Sequence, residues 1–209
     1  KDITIEATAL GHPLIPENEC VTNDFTLGRN KSVLIITGAN MAGKSTFLRT
    51  IGVNLVLALS GAPLSAKAFR CPVIDMRSGM RTADSLKDHQ SYFYAELNRL
   101  KMIMDDLRSD KPLLILLDEI LKGTNSADKQ AGSIALVKQL LPPPSLALIA
   151  THDLAMKKKE KDFPQQIQNY CFEATIENDQ LSFDYTLRPG LAKKMNATFL
   201  MRKMGILLD

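Results

Sequence analysis

The sequence has 209 residues, a length that fits one large domain, or one domain with a small appendage. Its hydrophobic content of 45% excludes a disordered chain, and its net charge of +3 neither demands nor excludes a nucleic-acid partner. The longest apolar stretch, near 51–59, is too short to span a bilayer and contains Asn54, so we expect no membrane segment in this chain.

Three cysteines, Cys20, Cys71 and Cys171, lie far apart and lack the spacing of metal ligands. They indicate reduced thiols, and we expect the protein to be cytoplasmic. The chain begins at Lys1 rather than with Met, so we expect it to be a fragment of a longer protein.

A strand, a glycine loop and a helix are predicted after a lead-in region of short strands at 1–31. Residues 33–37 are apolar and rich in β-branched side chains, which is typical of a buried strand. Residues 38–45 have the sequence Gly-Ala-Asn-Met-Ala-Gly-Lys-Ser, a complete G-x-x-x-x-G-K-[ST] motif. Because a predicted helix follows at 46–59, the motif has the context of a phosphate-binding loop.

This loop predicts a site for a nucleoside triphosphate. Its glycines let successive backbone N–H groups converge on phosphate oxygens, and the helix N-terminus adds the positive end of its dipole. We expect Lys44 to reach the β- and γ-phosphates, and the Ser45 hydroxyl to bind Mg²⁺. The residues expected to contact the nucleotide are Gly38, Ala39, Asn40, Met41, Ala42, Gly43, Lys44, Ser45 and Thr46.

A second apolar run, 113–117, is followed directly by two carboxylates, Asp118 and Glu119. The run is typical of a parallel strand covered on both faces. A carboxylate at the C-terminal edge of such a sheet can bind Mg²⁺ beside Ser45, so Asp118 is the second expected metal ligand. Glu119 is expected to polarise the attacking water as a general base. The pair favours an ATPase of the RecA-like, AAA+ or ABC type over a small GTPase, unless both carboxylates simply cap the strand.

Two further helices and a strand complete the predicted core. A helix from Ser91 would place Phe93, Leu97, Leu100, Met104 and Leu107 on one face, and a second helix covers 126–141. Residues 146–150 form another buried strand, and His152 follows it. A His at that strand end can hydrogen-bond the γ-phosphate or the attacking water, so we expect a catalytic role, although it can also be structural.

Strands that alternate with helices predict an α/β fold, a P-loop NTPase with a mainly parallel central sheet flanked by helices. A hairpin with its tip at 177–180 would add a small antiparallel element, and the tail from 192 to 208 is expected to be helical. We therefore expect one domain over 1–209: lead-in strands at 1–31, a P-loop core at 32–170, and the hairpin with C-terminal helices at 171–209.

Three segments together resemble the ATPase domain of the MutS family of DNA mismatch repair proteins, within the ABC-type ATPase superfamily. They are the loop, the sequence Leu-Leu-Asp-Glu-Ile-Leu-Lys-Gly-Thr-Asn-Ser at 116–126, and Ala-Thr-His at 150–152. Asn40-Met41 inside the loop is typical of the family, and 123–126 resembles its Gly-Thr-Ser-Thr segment. His12-Pro13 and Asn23-Asp24 resemble two short motifs that precede the family's loop. The resemblance covers nearly the whole chain.

The resemblance implies that ATP and Mg²⁺ are the ligands, and that two copies of the domain form a homodimer with composite sites. Each ATP would be held mainly by one subunit and completed by the other, with Ser91 meeting the γ-phosphate bound to the partner. Ser91 can equally be a helix N-cap, and both roles can hold together. Mismatch reading belongs to other domains in the family, so DNA would be contacted through domains outside this chain.

Two positions near the expected adenine site depart from the family's pattern. Cys20 stands before Val21, where the family often has an aromatic residue, yet Val21 can still pack on the base. Tyr185 stands where the family has a His near the base, and it is expected to supply an aromatic ring that packs against adenine. The sequence Lys-Asp-His-Gln at 87–90 replaces a glycine-rich signature segment.

Three functions are compatible with these motifs. The first is a MutS-type ATPase in which ATP binding closes two domains and hydrolysis reopens them. The second is the nucleotide-binding subunit of an ABC transporter, although the sequence contains no Leu-Ser-Gly-Gly-Gln segment. The third is a nucleotide-gated dimerisation clamp with negligible hydrolysis.

Overall fold

The computed structural model describes residues 3–28, 30–80, 92–109, 111–142, 144–153, 156, 158–177, 180–192 and 201. In chain order the strands are β1 (Thr4–Leu10), β2 (Asn23–Gly28), β3 (Val33–Gly38), β4 (Ala68–Arg70), β5 (Asp75–Gly79), β6 (Leu113–Asp118), β7 (Ser145–Ala150), β8 (Ile167–Glu177) and β9 (Gln180–Pro189). The helices in these ranges are α1 (Lys44–Leu59), α2 (Tyr92–Leu107), α3 (Ser126–Leu140) and a single turn at Lys159–Asp162.

A six-stranded sheet in the order β5-β6-β7-β3-β8-β9 forms the centre of the structure. Its first five strands are parallel, and β9 is antiparallel to β8. Every residue of β3 and β7 is buried, as expected for parallel strands covered on both faces. Leu34 and Ile36 point into one apolar cluster, and Val33 and Ile35 into the other. The predicted α/β fold with a mainly parallel sheet is confirmed, and it is consistent with a P-loop NTPase.

The first face of the sheet is covered by α1 and by a three-stranded antiparallel sheet in the order β2-β1-β4. Asn54, fully buried in α1, donates to the Gly11 carbonyl at 3.0 Å and accepts the Ser65 N–H at 3.0 Å. These bonds hold the chain just after β1 and shortly before β4 against α1, the helix that begins at Lys44. No helix in the described ranges is long and apolar enough to cross a membrane.

The opposite face is covered by α2 and α3, which contribute the buried side chains of Leu100, Ile103, Leu136, Val137 and Leu140. The inward face of α2 differs from the predicted one, because Ile103 is buried and Leu97 is 39% exposed. Leu97 lies at the border of the apolar stripe, and its neighbour Glu96 is partly buried instead. The predicted bounds of α3 agree with the structure to within one residue.

The predicted hairpin is present as β8 and β9, with Glu177 paired to Gln180. β8 begins at Ile167, earlier than predicted, and its first half pairs in parallel with β3 from Val33 to Gly38. The hairpin therefore continues the central sheet and reaches the loop after β3. The predicted C-terminal helices lie almost wholly outside the described residues and stay a prediction.

Candidate functional site

The loop between β3 and α1 has a backbone suited to holding an anion. Gly38, Met41 and Gly43 have φ angles of 150°, 66° and 102°. A Cβ on Gly38 would lie 2.6 Å from the Phe172 carbonyl oxygen, so only glycine fits between β3 and β8. Gly43 caps α1 without a side-chain hydrogen bond. Gly43 has no side chain to accept hydrogen bonds from the N–H groups in the first turn of α1, so it does not compete with an anion for them.

Lys44, the first residue of α1, is 5% exposed. Its ammonium donates to the carbonyl oxygens of Gly38 at 2.9 Å and Ala39 at 2.7 Å. Nζ also lies 3.2 Å from Nε2 of His152. Because these carbonyls belong to the loop itself, phosphate oxygens bound there would compete with them for the ammonium group.

Glu119 follows β6, and two side chains hold its carboxylate. His152 Nε2 lies 2.8 Å from Oε1, and Lys122 forms an ion pair with Oε2. A carboxylate only accepts hydrogen bonds, and one ring nitrogen cannot both donate to Glu119 and accept from Lys44. Because the distance to Glu119 is the shorter one, we assign a proton to Nε2 of His152, which donates it in a hydrogen bond to Glu119. The Glu119 N–H donates to the Ala150 carbonyl at 2.9 Å, which joins the ends of β6 and β7.

These contacts lower the pKa of Glu119 to about 2. The hydrogen bond from His152 is the largest cause, burial opposes it by raising the pKa, and the hydrogen bond from Lys122 lowers the pKa again. Glu119 is therefore an anion at neutral pH, but a carboxylate with so low a pKa is a weak base. A role as general base would call for weaker contacts of Glu119 with His152 and Lys122 than these.

Asp118 and Ser45 supply oxygen atoms of the kind that Mg²⁺ prefers. Oδ1 of Asp118 is buried without a hydrogen-bond partner among the described residues, and both side chains line the same cleft. Because a buried carboxylate oxygen without a partner is costly, these residues fit a bound cation. No group of three or more His, Cys, Asp or Glu side chains within the described ranges could hold a metal ion. Mg²⁺ suits such a site because it takes most of its ligands from water and phosphate.

A cleft of about 680 Å³ connects the loop with the small antiparallel sheet, a volume typical of small-molecule sites. Val21 and Tyr185 line it and are 43% and 44% exposed. The Tyr185 ring covers Gly43, because a Cβ on Gly43 would lie 3.1 Å from Cδ1 of the ring. The cleft thus has an aromatic face beside the glycine loop.

Asn23 of β2 holds the backbone on both sides of Thr186 in β9. Its Nδ2 donates to the Tyr185 carbonyl at 3.0 Å, and its Oδ1 accepts the Leu187 N–H at 2.7 Å. Tyr185 has a φ of 54°, which non-glycine residues rarely adopt, so these bonds help to fix an unusual conformation. The ring of Phe183 stacks on Tyr185 with centroids 6.1 Å apart.

Most of the predicted site residues lie together. Those that line the cleft are Val21, Asn40, Met41, Gly43, Lys44, Ser45, Thr46, Asp118, Glu119 and Tyr185. Gly38, Ala39 and His152 contact Lys44, and Ala42 is buried. Ser91 lies outside the described residues, so its predicted contact stays a prediction.

Lys122 and the role of Asn23 were not predicted from the sequence. Lys122 also lines the cleft, and its ion pair with Glu119 spans only three residues. A cation so close after the candidate base was a usable signal. The bond from Asn23 to Tyr185 spans 162 residues and left no comparable local pattern.

The family described as MutS domain V matches residues 34–204 of this chain. The DNA mismatch repair protein MutS of Thermotoga sp. (strain RQ2) is 31% identical over 198 residues, which are 93% of this chain and 25% of that protein. The DNA mismatch repair protein MutS of Aquifex pyrophilus is 34% identical over 186 residues, covering 87% of this chain and 21% of that protein. The DNA mismatch repair protein MutS 2 of Halobacterium salinarum is 30% identical over 199 residues, covering 93% and 23%.

The chain spans about a quarter of the length of these relatives. The family match takes in most of β3, the glycine loop at 38–45, Asp118-Glu119 and the hairpin. The chain belongs to the MutS family, in which it corresponds to domain V.

Proposed function

We propose that this chain binds MgATP in the cleft and hydrolyses it to ADP and phosphate, as the ATPase domain of a MutS-type DNA mismatch repair protein. The observation that carries the proposal is the contact of Lys44 and Glu119 with one histidine, His152, beside an uncapped helix N-terminus. A cation for phosphate oxygens, a candidate base and an anion-binding backbone are the parts that phosphoryl transfer to water requires.

ATP binding, in this proposal, replaces the internal contacts of Lys44. The ammonium leaves the carbonyls of Gly38 and Ala39 and donates to β- and γ-phosphate oxygens, while the loop N–H groups hold the remaining oxygens. Adenine packs against Val21 and the Tyr185 ring. Ser45 and Asp118 would hold Mg²⁺, which neutralises charge on the phosphates.

Glu119 acts on the water that attacks the γ-phosphorus in line. The water oxygen bonds to phosphorus, the bond from phosphorus to the bridging oxygen of ADP breaks, and Glu119 accepts the water proton. The anionic γ-phosphate attracts the Lys122 ammonium and the His152 N–H away from Glu119. Loss of these contacts raises the pKa of Glu119 toward its ordinary value, so ATP itself would make the carboxylate a stronger base.

The composite homodimer supplies the rest of the site in this proposal. The partner subunit completes each ATP site, ATP binding closes the two domains, and hydrolysis reopens them. The proposal also places DNA contact in domains outside this chain, which spans about a quarter of the length of the relatives named for mismatch repair. A cytoplasmic location also stays a prediction.

Two substitutions test the chemistry, with Lys101→Ala as a control because Lys101 is an exposed lysine on α2. Lys44→Ala should abolish binding of a fluorescent ATP analogue. Glu119→Gln should bind it with unchanged affinity and release phosphate on the order of 100-fold more slowly. The wild-type rate should rise as the square of protein concentration if the site needs two subunits. Unchanged turnover in Glu119→Gln would contradict the assignment of the base.

The nucleotide-gated clamp is the second candidate. It is favoured if Glu119 keeps its contacts with His152 and Lys122, and hence its low pKa, when ATP binds, because a weak base hydrolyses ATP slowly. Single-turnover ATPase measurements over a series of protein concentrations separate the two. ATP-dependent dimerisation without hydrolysis at any concentration would support the clamp. Membership of the MutS family favours both candidates over a transporter subunit.

A further inference from the structure

Glu96 connects α2 to the segment that follows Glu119. Its Oε1 accepts the backbone N–H of Leu121 at 2.6 Å, across 25 residues of sequence. Its Oε2 is buried without a hydrogen-bond partner among the residues that the structure describes. Burying a carboxylate oxygen without a partner costs free energy, and the hydrogen bond to Leu121 offsets part of this cost.

The segment that Glu96 holds has an unusual backbone. Glu119 and Leu121 have φ angles of 51° and 57°, in the left-handed region that non-glycine residues rarely adopt. Two such residues within three positions persist only where their surroundings determine the conformation. The Glu119 N–H is fixed by the Ala150 carbonyl, and the Leu121 N–H is fixed by Glu96.

Packing holds the same segment between two helices. A Cβ on Gly123 would lie 2.7 Å from Cβ of Phe93 in α2, so the backbone at Gly123 lies directly against that helix. On the other side, a Cβ on Gly132 in α3 would lie 2.7 Å from Cδ1 of the buried Leu121. The apolar contacts fix where the segment lies, and the Glu96 hydrogen bond adds a polar constraint on its backbone.

We propose that Glu96 is a positioning residue for ATP hydrolysis, which holds the N–H of Leu121 and thereby keeps the carboxylate of Glu119 in the nucleotide cleft. The inference rests on the proposed function. Without this bond the left-handed backbone at Leu121 relaxes, and the rotation moves Glu119, two residues earlier. A displacement of about 1 Å in a reacting group lowers the rate on the order of 100-fold. Glu96 is not among the residues that line the cleft, so ATP affinity should not change.

Glu96→Ala and Glu96→Gln test the proposal, with Asn98→Ala on the exposed side of α2 as a control. Steady-state ATPase kinetics, ATP affinity and thermal unfolding are measured for each. We expect Glu96→Ala to lower kcat by roughly 10- to 100-fold with ATP affinity within about twofold of wild type. Glu96→Gln should recover most of the rate, because its amide oxygen still accepts the Leu121 N–H. A purely structural role would lower affinity and kcat together.

Wild-type kcat in a folded Glu96→Ala protein would overturn the inference. If that variant does not fold, Glu96→Asp takes its place, because it keeps the charge on a side chain too short for the same bond. Amide hydrogen exchange over 119–123 is measured alongside, and it should accelerate in Glu96→Ala whether or not ATP is hydrolysed. Unchanged exchange there would refute the role of Glu96. An inactive wild type at every concentration would instead refute the proposed function.

Discussion

His152 Nε2 lies 2.8 Å from Oε1 of Glu119, and this hydrogen bond is the largest cause of the low pKa of that carboxyl group. It joins the ends of neighbouring parallel strands, since Glu119 follows β6 and His152 comes shortly after β7. The same histidine nitrogen lies 3.2 Å from Nζ of Lys44. The candidate base and the lysine of the glycine loop thus share one neighbour, His152.

Glu119→Gln should destabilise the protein more at neutral pH than in acid. A carboxyl with a folded-state pKa of about 2 contributes stability above its unfolded pKa, and loses that contribution as the pH falls toward 2. The side chain is 20% exposed, so at neutral pH we expect Glu119→Gln to lower the free energy of unfolding by an amount on the order of 1–3 kcal/mol. Urea unfolding of both proteins at neutral pH and near pH 3.5 measures it. An equal difference at the two pH values would contradict the low pKa.

The two partners of Glu119, His152 and Lys122, should differ in how strongly they lower its pKa. Because the hydrogen bond from His152 is the largest cause of the lowered pKa, His152→Ala should raise the pKa of Glu119 more than Lys122→Met does. Titration of the Glu119 side chain by ¹³C NMR gives the pKa in each variant. A larger shift in Lys122→Met would show that the ion pair with Lys122 dominates.

Tyr185→Ala should weaken ATP binding by roughly 5- to 100-fold, the value of one lost contact between a base and an aromatic ring. Binding of inorganic tripolyphosphate, which has no base, should stay the same. Tyr185→Phe is the matched control because it keeps the ring. Isothermal titration calorimetry with both ligands measures the affinities, and an equal loss for tripolyphosphate would place Tyr185 at the phosphates rather than at adenine.

Asp118→Asn should raise the Mg²⁺ concentration for half-maximal ATPase activity by at least about tenfold, because a neutral amide is a poor ligand for Mg²⁺. Thermal stability without nucleotide should be unchanged or higher, since Oδ1 of Asp118 has no partner among the described residues. Asp75→Asn, at an exposed position in β5, serves as the control. A lower melting temperature together with an unchanged Mg²⁺ requirement would indicate a structural carboxylate instead.

Gly123→Ala should destabilise the protein by about 1–3 kcal/mol, because the new Cβ would lie 2.7 Å from Cβ of Phe93, which no rotamer change can move. Gly132→Ala is the comparison. Its new Cβ would lie equally close to Cδ1 of Leu121, the far end of a side chain that can rotate, so the loss should be smaller. Thermal and urea unfolding measure both. Equal losses would show that the segment after Glu119 cannot adjust on either side.

Sequence patterns located the parts of the site that are continuous in the chain. The loop from Gly38 to Ser45 and the pair Asp118-Glu119 each follow an apolar strand, and parallel strands bring such ends to the same edge of a sheet. The stripe on α2 was predicted less well. The periodicity of apolar residues could not show that Glu96, rather than Leu97, turns inward. A polar side chain is buried only where it finds a hydrogen-bond partner, and the partner of Glu96 is the Leu121 N–H, 25 residues away in the sequence.

By itself the sequence determined the α/β fold, the glycine loop between β3 and α1 and the positions of the two carboxylates, because these depend on short-range periodicity and on motifs of fixed spacing. The tertiary structure decided which residues hold Glu119, Leu121 and Tyr185 in place. Lys122 reaches Glu119 through a turn with left-handed residues, Glu96 reaches Leu121 from another helix, and Asn23 reaches Tyr185 across 162 residues. The contacts of Glu96 and Asn23 arise only when separate elements pack together, so no local pattern encodes them, whereas Lys122 follows Glu119 by three residues and could have been found in the sequence.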